Sequence, residues 1–169
     1  MPDAISAYLA GPDVFAPDAG ARFAAMRQLC ADNGIAPICP TDGDLPPGLA
    51  GATLARHIKF ANIQQIRSAS CVIANISPLR GPNMDPGTAY EIGFAEALGK
   101  PVFLWSETTT TLAARTQAAS EGRDAQGWMI ENFGLAENLM IGINDFGPVA
   151  TSFAAALAGA KRHFTQPAD

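Results

Sequence analysis

Three kinds of residue are scarce in this chain, and each scarcity narrows what it can do. Only three cysteines occur, Cys30, Cys39 and Cys71, and none stands at a metal or redox spacing. A disulfide framework is therefore not expected; buried free thiols in a reducing compartment are. The two histidines, His57 and His163, lie far apart without a ligand pattern, so no metal site is expected. Charge is thin: Asp, Glu, Lys and Arg make up 16% of the chain, the net charge is -5, and no Lys/Arg cluster occurs, which argues against a nucleic-acid partner. No apolar run approaches the ~20 residues needed to cross a bilayer. The N-terminus lacks the basic stretch and apolar run of a signal peptide. These absences predict a cytoplasmic protein with no membrane partner.

Apolar residues make up 48% of the 169 positions, enough for a sizeable core in one domain spanning 1–169. Low charge also hints at surface buried between subunits. Ile5–Ala10 predicts a strand, closed by Gly11-Pro12, with Phe15 in the loop beyond. Pro17–Asn33 has helical spacing, with Gly34 as its C-cap. Ile35–Cys39 predicts a short strand, and Pro40–Gly51 a turn-rich loop carrying Asp42 and Asp44. A helix is expected over Thr53–Ser68. The unbroken apolar run Cys71–Ile76 predicts a strand buried on both faces. A helix over Thr88–Leu98, stopped by Gly99, and a strand over Pro101–Trp105 follow. Beyond them the pattern predicts a loop or weak helix over Ser106–Arg123, a short helix over Gln126–Phe133 and a last strand over Leu139–Ile143. An Ala-rich helix over Val149–His163 and a loose tail, Thr165–Asp169, close the chain. Alternating strands and helices imply an α/β fold, with helices on both faces of a mostly parallel sheet of about five strands. Such sheets bind ligands beyond the carboxyl ends of their strands, at the topological switch point. The ends of the first strand and of the Cys71 strand are both rich in Gly, Pro and polar groups, which places the site between them.

Two carboxylates, Asp85 and Glu91, stand where loop becomes helix. Their spacing supports two readings. Thr88-x-x-Glu91 fits a capping box, and Asp85 fits a turn before Pro86-Gly87, with no chemistry implied. Alternatively, a carboxylate in a first helical turn is held ionised by the helix dipole and suits attack on a sugar carbon. Spacing alone leaves both open.

The segments Tyr8-Leu9-Ala10-Gly11-Pro12, Ala74-Asn75-Ile76-Ser77-Pro78-Leu79-Arg80-Gly81 and Asp85-Pro86-Gly87-Thr88-Ala89-Tyr90-Glu91-Ile92-Gly93-Phe94-Ala95 resemble the nucleoside 2-deoxyribosyltransferase family. The likeness runs from the first strand to about Trp105, with a weaker echo from Gly127-Trp128-Met129 to Asn138-Leu139-Met140. The resemblance implies a flavodoxin-like (Rossmann-like) three-layer fold. It implies exchange of the base of 2'-deoxyribonucleosides with free nucleobases by double displacement, with no metal or organic cofactor. It further implies a dimer-based homo-oligomer, a tetramer or hexamer, whose neighbouring subunits complete each site. Glu91 falls on the family's nucleophile, Asp85 on the carboxylate that binds the 5'-hydroxyl side of the sugar, and Tyr8 on the tyrosine that positions the nucleophile. Gly11, Pro12, Phe15, Asp42 and Gly87 are expected to bind substrate, with Phe15 against the base; Asn138, or the nearby Asp124 or Glu131, is expected to reach a neighbour's pocket. One departure stands out. Where some members carry an Asp proposed to protonate the departing base, this chain has Asn62, an amide that hydrogen-bonds but is no general acid at neutral pH. Two other functions fit the same residues: hydrolysis of deoxynucleosides or their 5'-monophosphates, and nucleotide sensing without turnover. The intact set Tyr8, Asp85 and Glu91 speaks against the sensor.

Overall fold

The computed structural model describes residues 4–166. Of the expected loose tail, residues 167–169 lie outside the described residues. Four strands form one parallel sheet: β1 (Ser6–Ala10), β2 (Ala36–Ile38), β3 (Cys71–Asn75) and β4 (Val102–Trp105), in the order β2-β1-β3-β4. Tyr8 pairs with Val72, which pairs with Val102, so the central strands end level with one another. β3 is buried at every position, as its unbroken apolar run requires of a central parallel strand.

Alternation along the strands divides the core into two layers. Ala7, Leu9, Cys71, Ile73, Phe103 and Trp105 pack against α1 (Ala19–Asp32) and α6 (Phe153–Thr165). Tyr8, Ala10, Val72, Ala74 and Leu104 point to the other face, toward α2 (Gly51–Ser68) and α3 (Pro86–Ala97), where Ile66, Ile92 and Ala95 are buried. Each fully buried aliphatic side chain, such as Ile73 or Ile92, contributes about 1.5–3 kcal/mol. Cys30, Cys39 and Cys71 are free and buried, and burial pushes their thiols up to about 11, 12 and 12, so they are inert packing groups.

The sheet has four strands rather than five. The expected strand Leu139–Ile143 is instead a short helix, α5 (Leu139–Gly142), because the side chain of Asn138 accepts a hydrogen bond from the Met140 N–H and caps it. What stands beside β4 is a single bridge: Ala150 donates to the Leu104 carbonyl and accepts from the Ser106 N–H. The helix expected over Gln126–Phe133 is also absent. Asp124 accepts from the N–H groups of Gln126 and Trp128, Gly127 takes a φ of 84°, and Arg123 bridges to Met129, so the segment folds as a tight turn. Within Ser106–Arg123 one short helix forms, α4 (Leu112–Arg115), capped by Thr111. Among the described residues no helix is long and apolar enough to cross a membrane.

Candidate active site

The carboxyl ends of β1 and β3 meet the start of α3, and there Glu91 projects toward β1. The Tyr8 hydroxyl donates to Glu91 Oε1 at 2.7 Å, and Asn62 Nδ2, from α2, donates to the same oxygen at 3.3 Å. Two donors thus converge on Oε1. Oε2 has no protein partner among the described residues. Asp85 is the N-cap of α3: Pro86 opens the helix, and Asp85 Oδ2 accepts from the Thr88 N–H at 2.8 Å and from its hydroxyl at 3.0 Å. The capping-box reading is therefore incorrect. Thr88 is the third residue of the helix, not its cap, and Glu91 lies in the second turn. A Cβ at Gly87 would stand 2.9 Å from Asp85 Oδ2, so any side chain there would have to displace that carboxylate.

The helix dipole is not what governs the Glu91 carboxyl. The dipole fades within the first turn. Burial dominates and, with the nearby charge of Asp85, raises the Glu91 carboxyl above its ordinary value; the hydrogen bonds from Tyr8 and Asn62 pull the other way without cancelling it. Burial, and next the charge of Glu91, drive the Tyr8 phenol well above its usual range, so it stays a donor. The amide oxygen of Asn62 is buried without a partner, because its nitrogen faces Glu91. A bound molecule carrying an N–H or O–H group would satisfy it.

Above Glu91 lies a cleft of about 400 Å³. Gly11, Phe15, Asn62, Asp85, Gly87 and Glu91 all line it, and Tyr8 lies beneath, fully buried. Phe15 is half exposed at the rim, with the Arg80 guanidinium 5.2 Å from its ring. Three other candidates are not in this wall. Pro12 opens the 3-10 turn Pro12–Phe15 that swings Phe15 into place. Asp42 is ion-paired with Arg27 and accepts from the Cys39 N–H, which together outweigh its burial and hold its carboxyl low; Asp44 lines the cleft instead. Asn138 caps α5 and donates to Glu131 at 2.6 Å. Sequence reasoning missed His57, which lines the cleft and donates from Nε2 to the Asp44 carbonyl at 2.9 Å, and the apolar wall of Val14, Leu45 and Ile58. Only the place of His57 on the same helix as Asn62 could have signalled it. Trp105 packs edge-on against Phe153, whereas Trp128 is 74% exposed. Among the described residues, no three His, Cys, Asp or Glu side chains are grouped as a metal ion would need.

The sequence model of the nucleoside 2-deoxyribosyltransferases matches residues 7–140, which include Tyr8, Asn62, Asp85 and Glu91. The chain belongs to that family. A solved 2-deoxyribosyltransferase from Leishmania mexicana is 36% identical and superposes with a TM-score of 0.76 over 94% of this chain and 98% of its own. A 2-deoxyribosyltransferase from the bacterium Bacillus psychrosaccharolyticus is 22% identical, with a TM-score of 0.54 over 76% of this chain and 98% of its own, a likeness of fold alone. An uncharacterized protein of Schizosaccharomyces pombe is 35% identical over 103 residues, 56% of this chain; the match spans 46% of that relative's length. The fold of this chain is thus the flavodoxin-like one implied by the motifs, with four strands among the described residues.

Proposed function

We propose that this member of the family exchanges the base of 2'-deoxyribonucleosides through a covalent 2-deoxyribosyl ester on Glu91, with retention of configuration. The observation that carries the reading is the convergence of Tyr8 and Asn62 on one oxygen of a partly buried Glu91 whose other oxygen is free at the cleft. Glu91 Oε2 attacks C1' of the sugar, the C1'–N bond breaks, and its electron pair leaves with the base. A ring nitrogen of the incoming base then attacks C1', the C1'–Oε2 bond breaks to release the carboxylate, and the proton of that nitrogen passes to the group that protonated the departing base. Two inversions give retention. Asp85, whose Oδ1 is free of the capping contacts, holds the 5'-hydroxyl side of the sugar. Phe15 and Ile58 give the base an apolar wall. Asn62 cannot supply the proton that the departing base takes up; Asp44, His57 or water supplies it. A homo-oligomer completes the site, which the exposed apolar side chains Trp128, Met129, Phe133, Met140 and Ile143 support.

The wall of the cleft favours nucleosides over their monophosphates. Among the described residues its lining carries Asp44, Asp85 and Glu91 and no Lys or Arg, with Arg80 over Phe15 at the rim, so a phosphate dianion within it would meet repulsion. Incubation with deoxyinosine and adenine, followed by chromatography, tests the reading. Deoxyadenosine is the expected product. Free deoxyribose in its place would point to hydrolysis, and binding without turnover to a sensor; either outcome overturns the transferase reading.

A further inference from the structure

We propose that Glu137, with Arg115, is a positioning residue that fixes Asp85 for sugar binding from the far end of the chain. This rests on the assignment of Asp85 to the 5'-hydroxyl side made above. Glu137 is a carboxylate only 2% exposed and plays no part in the exchange chemistry. A carboxylate is buried at large cost unless its oxygens are paired, and here they are. Oε2 accepts from the Met84 N–H at 2.8 Å and from Arg115 Nη2 at 3.5 Å. Oε1 accepts from the Asn138 N–H at 3.1 Å and Asn83 Nδ2 at 3.4 Å. Arg115 extends the grip: Nε donates to the Pro82 carbonyl at 2.9 Å and Nη2 to the Ala136 carbonyl at 2.7 Å.

The bonds to Pro82, Asn83 and Met84 fall on the loop that leads into Asp85. That loop turns sharply, with Arg80 at a φ of 57° and the Leu79 N–H donating to the Asn83 carbonyl at 2.9 Å. No strand or helix of the sheet fixes its backbone polar groups between Asn83 and the helix cap. The clamp therefore sets where α3 begins, and with it the direction of the Asp85 carboxylate. Little of the segment from 107 to 138 is regular structure, and it is tied to the site through these two side chains.

The test is Glu137→Gln, which keeps the shape but leaves one oxygen for donors that now share two. Steady-state rates are measured with a 2'-deoxynucleoside and with its 2',5'-dideoxy analogue, which lacks the hydroxyl assigned to Asp85. KM for the deoxynucleoside should rise about tenfold while the analogue changes by less than about twofold. Glu137→Gln should add nothing further to Asp85→Asn. Equal losses on both substrates, or losses that add to those of Asp85→Asn, would overturn the proposal. Hydrogen exchange at the Met84 and Thr88 amides gives a readout independent of turnover: faster exchange confined to this loop is expected, and unchanged exchange refutes the clamp. Should wild type prove inactive on both substrates, the transferase reading falls, and the exchange data still decide the clamp. Arg115→Lys, which retains the charge but not the fork onto Pro82 and Ala136, gives the same measurements if Glu137→Gln does not fold.

Discussion

Replacing Tyr8 by Phe removes one oxygen atom from a fully buried position and leaves the ring packing intact. The lost hydrogen bond is the shorter of the two that reach Glu91 Oε1. A hydrogen bond to a charged group contributes about 1.5–3 kcal/mol. It stabilises the ionised carboxylate selectively, so its loss raises the Glu91 carboxyl by a further ~1–2 pH units, at about 1.4 kcal/mol per unit. The nucleophile must be ionised to attack. The acid limb of the kcat/KM profile, already above the ordinary glutamate value of 4.5 because Glu91 is buried, should therefore move up by ~1–2 pH units in Tyr8→Phe. On the acid side of the wild-type limb the rate should fall by about ten- to a hundredfold, and the deficit should shrink as pH rises and Glu91 ionises without help. A pH–rate profile of both proteins measures this. An unmoved acid limb, or a deficit constant across pH, would refute the idea that Tyr8 acts by holding the carboxylate ionised.

Two further substitutions separate stability from activity. Burial raises the Glu91 carboxyl, so the folded protein favours its protonated form; the stability this gives is present at low pH and is lost as pH rises through the folded-state value. Glu91→Gln should accordingly abolish exchange yet match wild type near pH 4 and exceed it in thermal melts at pH 8; lower stability at pH 8 would contradict the burial argument. Gly87→Ala places a methyl 2.9 Å from Asp85 Oδ2. Alanine gains about 1 kcal/mol in helix propensity, which offsets the clash, so Tm should change little while KM for deoxynucleosides rises; an unchanged KM would remove Asp85 from the sugar site.

The legibility of the sequence follows the kind of force that shapes each part. Apolar runs placed β1, β3 and β4, and helical spacing placed α1 and α2, because burial against a two-faced sheet dominates there; Gly99 marked the end of α3. Residues 106–152 defeated periodicity. Their conformation is set by side-chain bonds to backbone groups, from Thr111, Asp124, Glu131, Glu137 and Asn138, and such bonds leave no repeating pattern. Leu139–Ile143 is apolar enough for a strand, yet a single capping amide made it a helix. At the site, motif resemblance brought Tyr8, Asp85, Glu91 and Asn62 to attention, and the structure gathers them at one cleft. Asp42 was misplaced because spacing cannot tell it from Asp44; the Arg27 that captures it lies fifteen residues earlier. The upward pull on the Glu91 carboxyl was missed because burial is a property of three elements packed together, not of position in a helix.

The most direct measurement is a search for the glycosyl ester itself. A 2'-deoxy-2'-fluoroarabinonucleoside, whose fluorine slows both steps, is incubated with the protein without an acceptor base, and the intact mass and peptide map are recorded after acid quench. The expected result is one added fluorodeoxyribosyl mass, located on Glu91, absent from Glu91→Gln and discharged as a new nucleoside when adenine is added. Base release without any adduct, or an adduct on another residue, would contradict Glu91 as the nucleophile.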